Sequence, residues 1–184
     1  VQFSVKDREI LKDITLEIPK GGRTVFLGEN GCGKTTLMRL IARLYKPTGG
    51  NITQYIDEKF KQKPKGSKAW YKKVGVVYQN PDYQLFMPTV RQEISFGAKS
   101  EEYAAEIAEL FGVKHLWERH PQSLSEGQKR RVSIAAVAAC EPEVLLLDEP
   151  TVGQDYDGLC ALVEILNKLH MQSGNTMITI THDV

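Results

Sequence analysis

The 184-residue sequence has no apolar run approaching the ~20 residues needed to cross a bilayer, and its first residues lack a basic segment followed by an apolar core. Neither a membrane span nor a signal peptide is expected, which leaves the cytoplasm as the default compartment. Cysteine is scarce: Cys32, Cys140 and Cys160 form an odd set without C-x-x-C spacing, which argues against a disulfide framework and a thiolate zinc site. Cys140 and Cys160 read as small buried apolar residues. An excess of charge is also missing. The formal net charge is +1, so no global field draws the chain to nucleic acid or anionic lipid, and such a partner would need a local surface. There is no internal repeat or low-complexity tract. What is present, 41% hydrophobic and 26% charged residues, is the balance of a soluble globular protein of one domain with room for a subdomain.

The most informative stretch is Gly28-Glu29-Asn30-Gly31-Cys32-Gly33-Lys34-Thr35, followed by Thr36. It comes after the apolar run Thr24–Leu27 and before Leu37, Leu40, Ile41 and Leu44, whose i, i+3, i+4, i+7 spacing marks a helix face. Strand, glycine loop and helix are the context of a phosphate-binding P-loop. The glycines let consecutive backbone N–H groups turn toward a polyphosphate, and the helix N-terminus adds roughly half a positive charge. Lys34 then reaches the β and γ phosphates and Thr35 offers a hydroxyl to Mg²⁺. A plain glycine turn would need neither of those side chains. A bulky adduct on Cys32, inside the loop, is expected to block nucleotide.

Along the chain, Val1–Val5 and Ile14–Ile18 alternate apolar and polar residues, which predicts two half-buried strands joined through Lys6–Glu9. The P-loop helix is expected to run to about Tyr45, where Pro47, Gly49 and Gly50 interrupt. Residues 51–73 carry seven lysines with Trp70 and Tyr71 among them. Basic residues interleaved with aromatics suit a nucleic-acid backbone, but Asp57, Glu58 and the near-neutral chain favour a solvated loop. Val74–Tyr78 reads as a buried strand delivering Gln79, which by itself would equally suit a capped turn. Helical composition follows from Thr89 to His120, with Ala104, Ile107, Ala108 and Phe111 on one face, giving a helical subdomain of approximately residues 82–135 inserted in the core. Within it Ser125 and Gln128 form a capping-box pattern ahead of Lys129-Arg130-Arg131. Val144–Leu147 is a buried strand tipped by Asp148 and Glu149, placing two acids where a Mg²⁺ nucleotide site needs them. Leu159, Leu162, Val163, Leu166 and Leu169 predict a further amphipathic helix, and Thr176–Thr181 a last strand carrying His182. Four strands thus end in Gly28, Gln79, Asp148-Glu149 and His182. In an open parallel α/β sheet such residues share the edge where ligands bind.

These motifs in this order resemble the ATPase domain of ATP-binding cassette (ABC) transporters, over nearly the whole chain. Gly28–Thr35 are similar to its P-loop, Gln79 to its Q-loop and Leu124–Gln128 to its signature motif. Val144–Glu149 resemble the second nucleotide motif, Thr151–Asp155 the D-loop and His182 the switch histidine. The segment Asn80–Phe86 resembles the ATPases of energy-coupling-factor importers.

The resemblance implies a P-loop NTPase fold, a RecA-like parallel sheet core with N-terminal antiparallel strands and an inserted helical subdomain, continuing beyond Val184, so that the chain is read as C-terminally incomplete. It implies ATP and Mg²⁺ as cofactors and a head-to-tail dimer with a second ABC ATPase chain, identical or not, with each ATP between one P-loop and the partner's signature. Lys34 would bind phosphate; Thr35, Gln79 and Asp148 would serve the metal; Glu149 would act on the attacking water and His182 would contact the γ phosphate. Ser125, Gly127 and Gln128 would reach the partner's nucleotide, and Asp155 would cross the interface. A membrane subunit would dock around Asp82, Tyr83, Gln84, Leu85 and Phe86, on the cytoplasmic face. Three residues depart from the family pattern: Val5 where an aromatic stacks on adenine, Glu126 for a signature glycine, and Gln154 for a D-loop leucine. Two further readings are a nucleotide-binding regulatory partner with weak hydrolysis, and a soluble ABC protein acting on nucleic acid.

Overall fold

The fold was obtained as a computed structural model, in which residues 1–6, 8–53, 70 and 73–182 are described. Six strands and five helices of more than one turn lie along them. β1 (Phe3–Val5) and β2 (Arg8–Leu11) form an antiparallel pair. β3 (Arg23–Leu27), β4 (Val74–Val77), β5 (Val144–Asp148) and β6 (Thr176–Thr181) form a parallel sheet in the order β3-β6-β5-β4. The helices are α1 (Lys34–Ile41), α2 (Val90–Ser95), α3 (Glu101–Leu110), α4 (Glu126–Ala138) and α5 (Tyr156–Ser173). α2, α3 and α4 all lie between β4 and β5 in the chain.

The period-2 alternation of the strands divides the core between the two sheet faces. In β5, Leu145 and Leu147 face the larger cluster, which holds α2 to α5, whereas Leu146 joins Met38 and Ala42 of the α1 segment with Ile178 and Ile180 on the other face. All of these except Ala42, at 2%, are 0 or 1% exposed. Each leucine so buried contributes about 1.5–3 kcal/mol. A Cβ at Gly75 would come 2.5 Å from Val137, so only glycine lets α4 pack this closely on β4.

Several sequence expectations hold. Ala104, Ile107, Ala108 and Phe111 are buried on one face of α3, and Ser125 and Gln128 complete the capping box of α4. Others need correction. Ile14–Ile18 is not a strand: a tight turn at Lys6 (φ 53°) pairs β1 with Arg8–Leu11 instead, leaving Ile14 to exchange backbone bonds with Val1 and Ile18 to pack beneath the sheet. α1 ends at Ile41, because Arg43 turns left-handed (φ 59°) and the Leu44 and Tyr45 N–H groups fold back on the Arg39 carbonyl. Cys140 and Cys160 are exposed, as is Val163 at 43%. The lysine-rich segment lies largely outside the described residues. Of its members, Trp70 is buried with its Nε1 donating to the Ile41 carbonyl, and Lys73 pairs with Glu143.

Candidate functional site

All four strands of the large sheet run parallel, so their carboxyl ends form one edge, where Leu27 is in register with Thr181, Asp148 with Ile180 and Val77 with Leu147. Gly28 follows β3 directly, Asp148 ends β5, Glu149 follows it, and His182 follows β6. Gln79 stands two residues beyond β4, exposed.

Residues Gly28–Gly33 loop from β3 into α1. Gly33 is the N-cap with φ 100°, and a Cβ there would come 2.8 Å from Leu11 Cδ2, so both its dihedral and its packing against β2 require glycine. The N–H groups of the first turn of α1, including Thr35 and Thr36, have no helical acceptor, which makes this end a donor cluster for an anion. Glu29, Asn30, Gly31 and Cys32 are exposed around it, tied by the Cys32 N–H to the Glu29 carbonyl at 3.3 Å. Lys34 Nζ donates to the Gly28 and Glu29 carbonyls, at 2.5 and 3.0 Å, and so lies over the loop.

Thr35 Oγ1 donates to Asp148 Oδ1 at 3.2 Å, joining the α1 segment to the tip of β5. Asp148 is 3% exposed, and burial pushes its carboxyl up, reinforced by the neighbouring Glu149 charge and opposed first by the Thr35 hydroxyl. Glu149 is also buried, with a left-handed φ of 48° that costs a non-glycine residue on the order of 1–2 kcal/mol. Its surroundings hold it there. The Glu149 N–H donates to the Ile180 carbonyl at 2.9 Å, and Oε2 accepts from the His182 N–H at 3.3 Å and lies 2.9 Å from the His182 Nδ1. A carboxylate is thereby fixed beside an imidazole at the sheet edge.

At the N-terminus of α4, Ser125 Oγ accepts from the Gln128 N–H at 3.4 Å and the Ser125 N–H donates to Gln128 Oε1 at 3.1 Å. Gln128 thus caps α4 through its Oε1. Ser125 and Glu126 are exposed side by side, and among the described residues no hydrogen bond joins this turn to residues 28–36 of the same chain. Asp155, expected at a partner, accepts from the Gly158 N–H at 2.8 Å as the N-cap of α5. Gln154 lies against the start of α4: a Cβ on Gly127 would be 3.1 Å from its Nε2.

Comparison with known proteins decides the family. Residues 11–152 match the family profile described as ABC transporter. The chain belongs to the ABC transporter family. It is 42% identical over 190 residues to the energy-coupling factor transporter ATP-binding protein EcfA2 of Bacillus thuringiensis strain Al Hakam, covering 97% of this chain and 64% of that protein. It thus spans less than two thirds of that relative's length. Among solved structures it is similar to cbiO1 of Clostridium perfringens, part of the ABC transporter complex cbiONQ, with 35% identity, a TM-score of 0.84 and coverage of 99% of this chain and 76% of that one. A second is the dimeric post-hydrolysis structure of the ATP-binding cassette MJ0796 bound to ADP and Pi, at 26% identity and a TM-score of 0.80, covering 99% and 84%.

Three features of this ABC transporter family member were missed in the sequence. Gln84 closes the loop after β4, accepting from the Tyr78 N–H at 2.8 Å and donating to the Val76 carbonyl at 2.7 Å. Glu93 is buried, its Oε2 accepting from the Phe86 and Met87 N–H groups at 2.9 and 2.7 Å, and burial raises its carboxyl despite those bonds. These residues, with Leu85, Phe86, Phe96 and Cys140, line an open cavity of about 410 Å³ between α2, α4 and β4. Arg130 is 1% exposed although it sits in a run of three cations. The signal was its i, i+4, i+8 alignment with Ile134 and Ala138, both buried.

Proposed function

We propose that this chain is the ATP-binding and hydrolysing domain of a transporter subunit, energising a membrane partner by ATP-driven closure of a dimer. One observation carries the reading: the phosphate loop, Asp148, Glu149 and His182 meet at a single sheet edge, with Thr35 bonded to Asp148 and Glu149 to His182. Residues 1–184 act as one domain, in which approximately residues 82–135 form the helical subdomain.

The N–H groups of Gly28–Thr36 and Lys34 would hold the β and γ phosphates of ATP, with Lys34 leaving the Gly28 and Glu29 carbonyls for the stronger anionic partner. The Thr35 hydroxyl and Asp148 are hard oxygen donors 3.2 Å apart, the donor set that Mg²⁺ takes when phosphate and water complete its shell. Gln79 would add a carbonyl oxygen. When bound, the ion would neutralise phosphate charge and would favour the ionised form of Asp148. Glu149 orients and deprotonates the attacking water, and His182 holds that carboxylate while reaching the γ phosphate.

Ser125, the Gly127 N–H and Gln128 face the nucleotide of a second ABC ATPase chain, an identical copy or a paralogue arranged head to tail, with Asp155 near the same interface. The γ phosphate then bridges two proteins, so its presence favours closure and its loss releases them. A membrane subunit docks around Asp82, Tyr83, Gln84, Leu85 and Phe86, the last three of which line the cavity. Tyr83, Phe86 and Phe96 are 80, 68 and 70% exposed and supply the aromatic surface such an interface uses. Steady-state phosphate release by the full-length protein with its membrane subunit, against Glu149→Gln, tests the reading. Activity no greater than that of the variant would leave a regulatory, weakly hydrolysing protein.

A further inference from the structure

Two consecutive cations of α4 hold the loop after β4 on either side of Gln79. Arg130 Nη1 donates to the carbonyl of Tyr78, the residue before Gln79, at 3.0 Å. Lys129 Nζ donates to Asp82 Oδ1, three residues after Gln79, at 2.7 Å, and to Gln122 Oε1 at 3.0 Å. Gln122 in turn donates from Nε2 to the Leu85 carbonyl at 3.4 Å, so the turn leading into Ser125 is tied to the same loop.

Burial argues that these contacts do more than fill space. Arg130 is 1% exposed and its Nε has no partner among the described residues. The charges that face it are Glu126 on its own helix and Asp148 at the end of β5, and burial nevertheless lowers its basicity. Desolvating a guanidinium is costly, and apolar residues of similar volume often stabilise a fold as well as a buried charge does. Lys129 is similarly withdrawn, its side chain 13% exposed against 43% for Asp82. The cavity flanked by Phe86 and Glu93 also borders α4, through Ser133, Ala136 and Val137. An occupant pressing on α4 therefore acts on the helix that carries both cations.

We propose that Lys129 and Arg130 are positioning residues that make the segment 78–82 move with α4, so that occupation of the cavity is transmitted to Gln79. The proposal rests on the transporter reading above. It assigns the coupling to two side chains and separates it from docking itself.

The test uses the full-length protein with its partner ATPase and membrane subunit, and reads the ratio of ATPase activity with and without that subunit. Lys129→Met lowers this ratio at least about fivefold, the lower range of an allosteric coupling, while activity without the membrane subunit stays within about twofold and the complex still copurifies. Lys129→Arg, which keeps the cation, restores at least about half of the ratio. Arg130→Met moves it in the same direction, and Lys129→Met decides the matter if that buried replacement fails to fold. The proposal is overturned by an unchanged ratio in Lys129→Met, by a parallel loss of both activities, or by loss of copurification, which would make Lys129 a docking residue. A wild-type complex with no stimulation at all would instead remove the transporter reading, and this coupling with it.

Discussion

Replacing Glu149 by glutamine separates chemistry from binding. The amide oxygen of glutamine still accepts from the His182 N–H, now held at 3.3 Å, and can keep the place 2.9 Å from Nδ1, while the bond from residue 149 N–H to the Ile180 carbonyl belongs to the backbone. The left-handed φ of 48° strains either side chain alike. What changes in stability is the charge assistance of one shared acceptor, about 1 kcal/mol, which for a chain of this size moves Tm by about 2–4 °C. What changes in chemistry is the proton acceptor. A positioned general base is worth roughly 10²–10⁴ in rate, or about 2.7–5.4 kcal/mol. Phosphate release and displacement of a fluorescent ATP analogue, measured on the full-length complex, give the two quantities separately. We expect kcat to fall by about 10²–10⁴ with ATP affinity within about threefold, and the ATP-bound dimer to persist in size-exclusion chromatography. A kcat within about tenfold of wild type, or an affinity that falls in step with it, would show that Glu149 is not the base.

Three other expectations follow from particular contacts. Phe3 is stacked on Tyr45 (5.4 Å between centroids, 7° between planes) and the 50% exposed position at the end of β1 is an aliphatic Val5; Val5→Tyr should tighten ATP binding by about 0.5–1.5 kcal/mol in a titration, and no gain would place the base elsewhere. Alkylation of Cys32 should abolish ATP binding, but Cys140 and Cys160 are exposed too, so the measurement belongs in a Cys140→Ala/Cys160→Ala background, where inhibition surviving Cys32→Ala would refute the assignment. Burial raises the folded-state pKa of Glu93, so its contribution to stability is complete below its unfolded value of about 4.3 and is lost as pH rises through the folded value. Denaturant unfolding should show wild type losing stability relative to Glu93→Gln over that window, and parallel pH profiles would contradict it.

The site's skeleton was legible because it is written in strand tips. Val144–Leu147 and Thr176–Thr181 are continuous or β-branched runs with polar residues just past their ends, and a parallel sheet brings such ends to one edge. Alternation was a weaker guide at Ile14–Ile18, since a strand exists only with a partner and the turn at Lys6 gave that partner to Arg8–Leu11. Asp155 carries a role that its place in a motif did not show, since its carboxylate also caps α5 within the chain. Arg130 and Glu93 were opaque for a related reason, because charged residues read as surface until tertiary packing buries them.

The central claim, that each working site is shared by two chains, is tested most directly by moving two lesions. Lys34→Ala removes the phosphate lysine and Ser125→Arg obstructs the signature turn. In a dimer of full-length chains, whether copies or paralogues with equivalent positions, both substitutions are placed either in one chain or one in each. A shared site predicts that both lesions in one chain spoil both sites and abolish phosphate release, whereas dividing them between the chains confines the damage to one site and leaves the other working. The reverse pattern, activity with the lesions together and none with them apart, would contradict it.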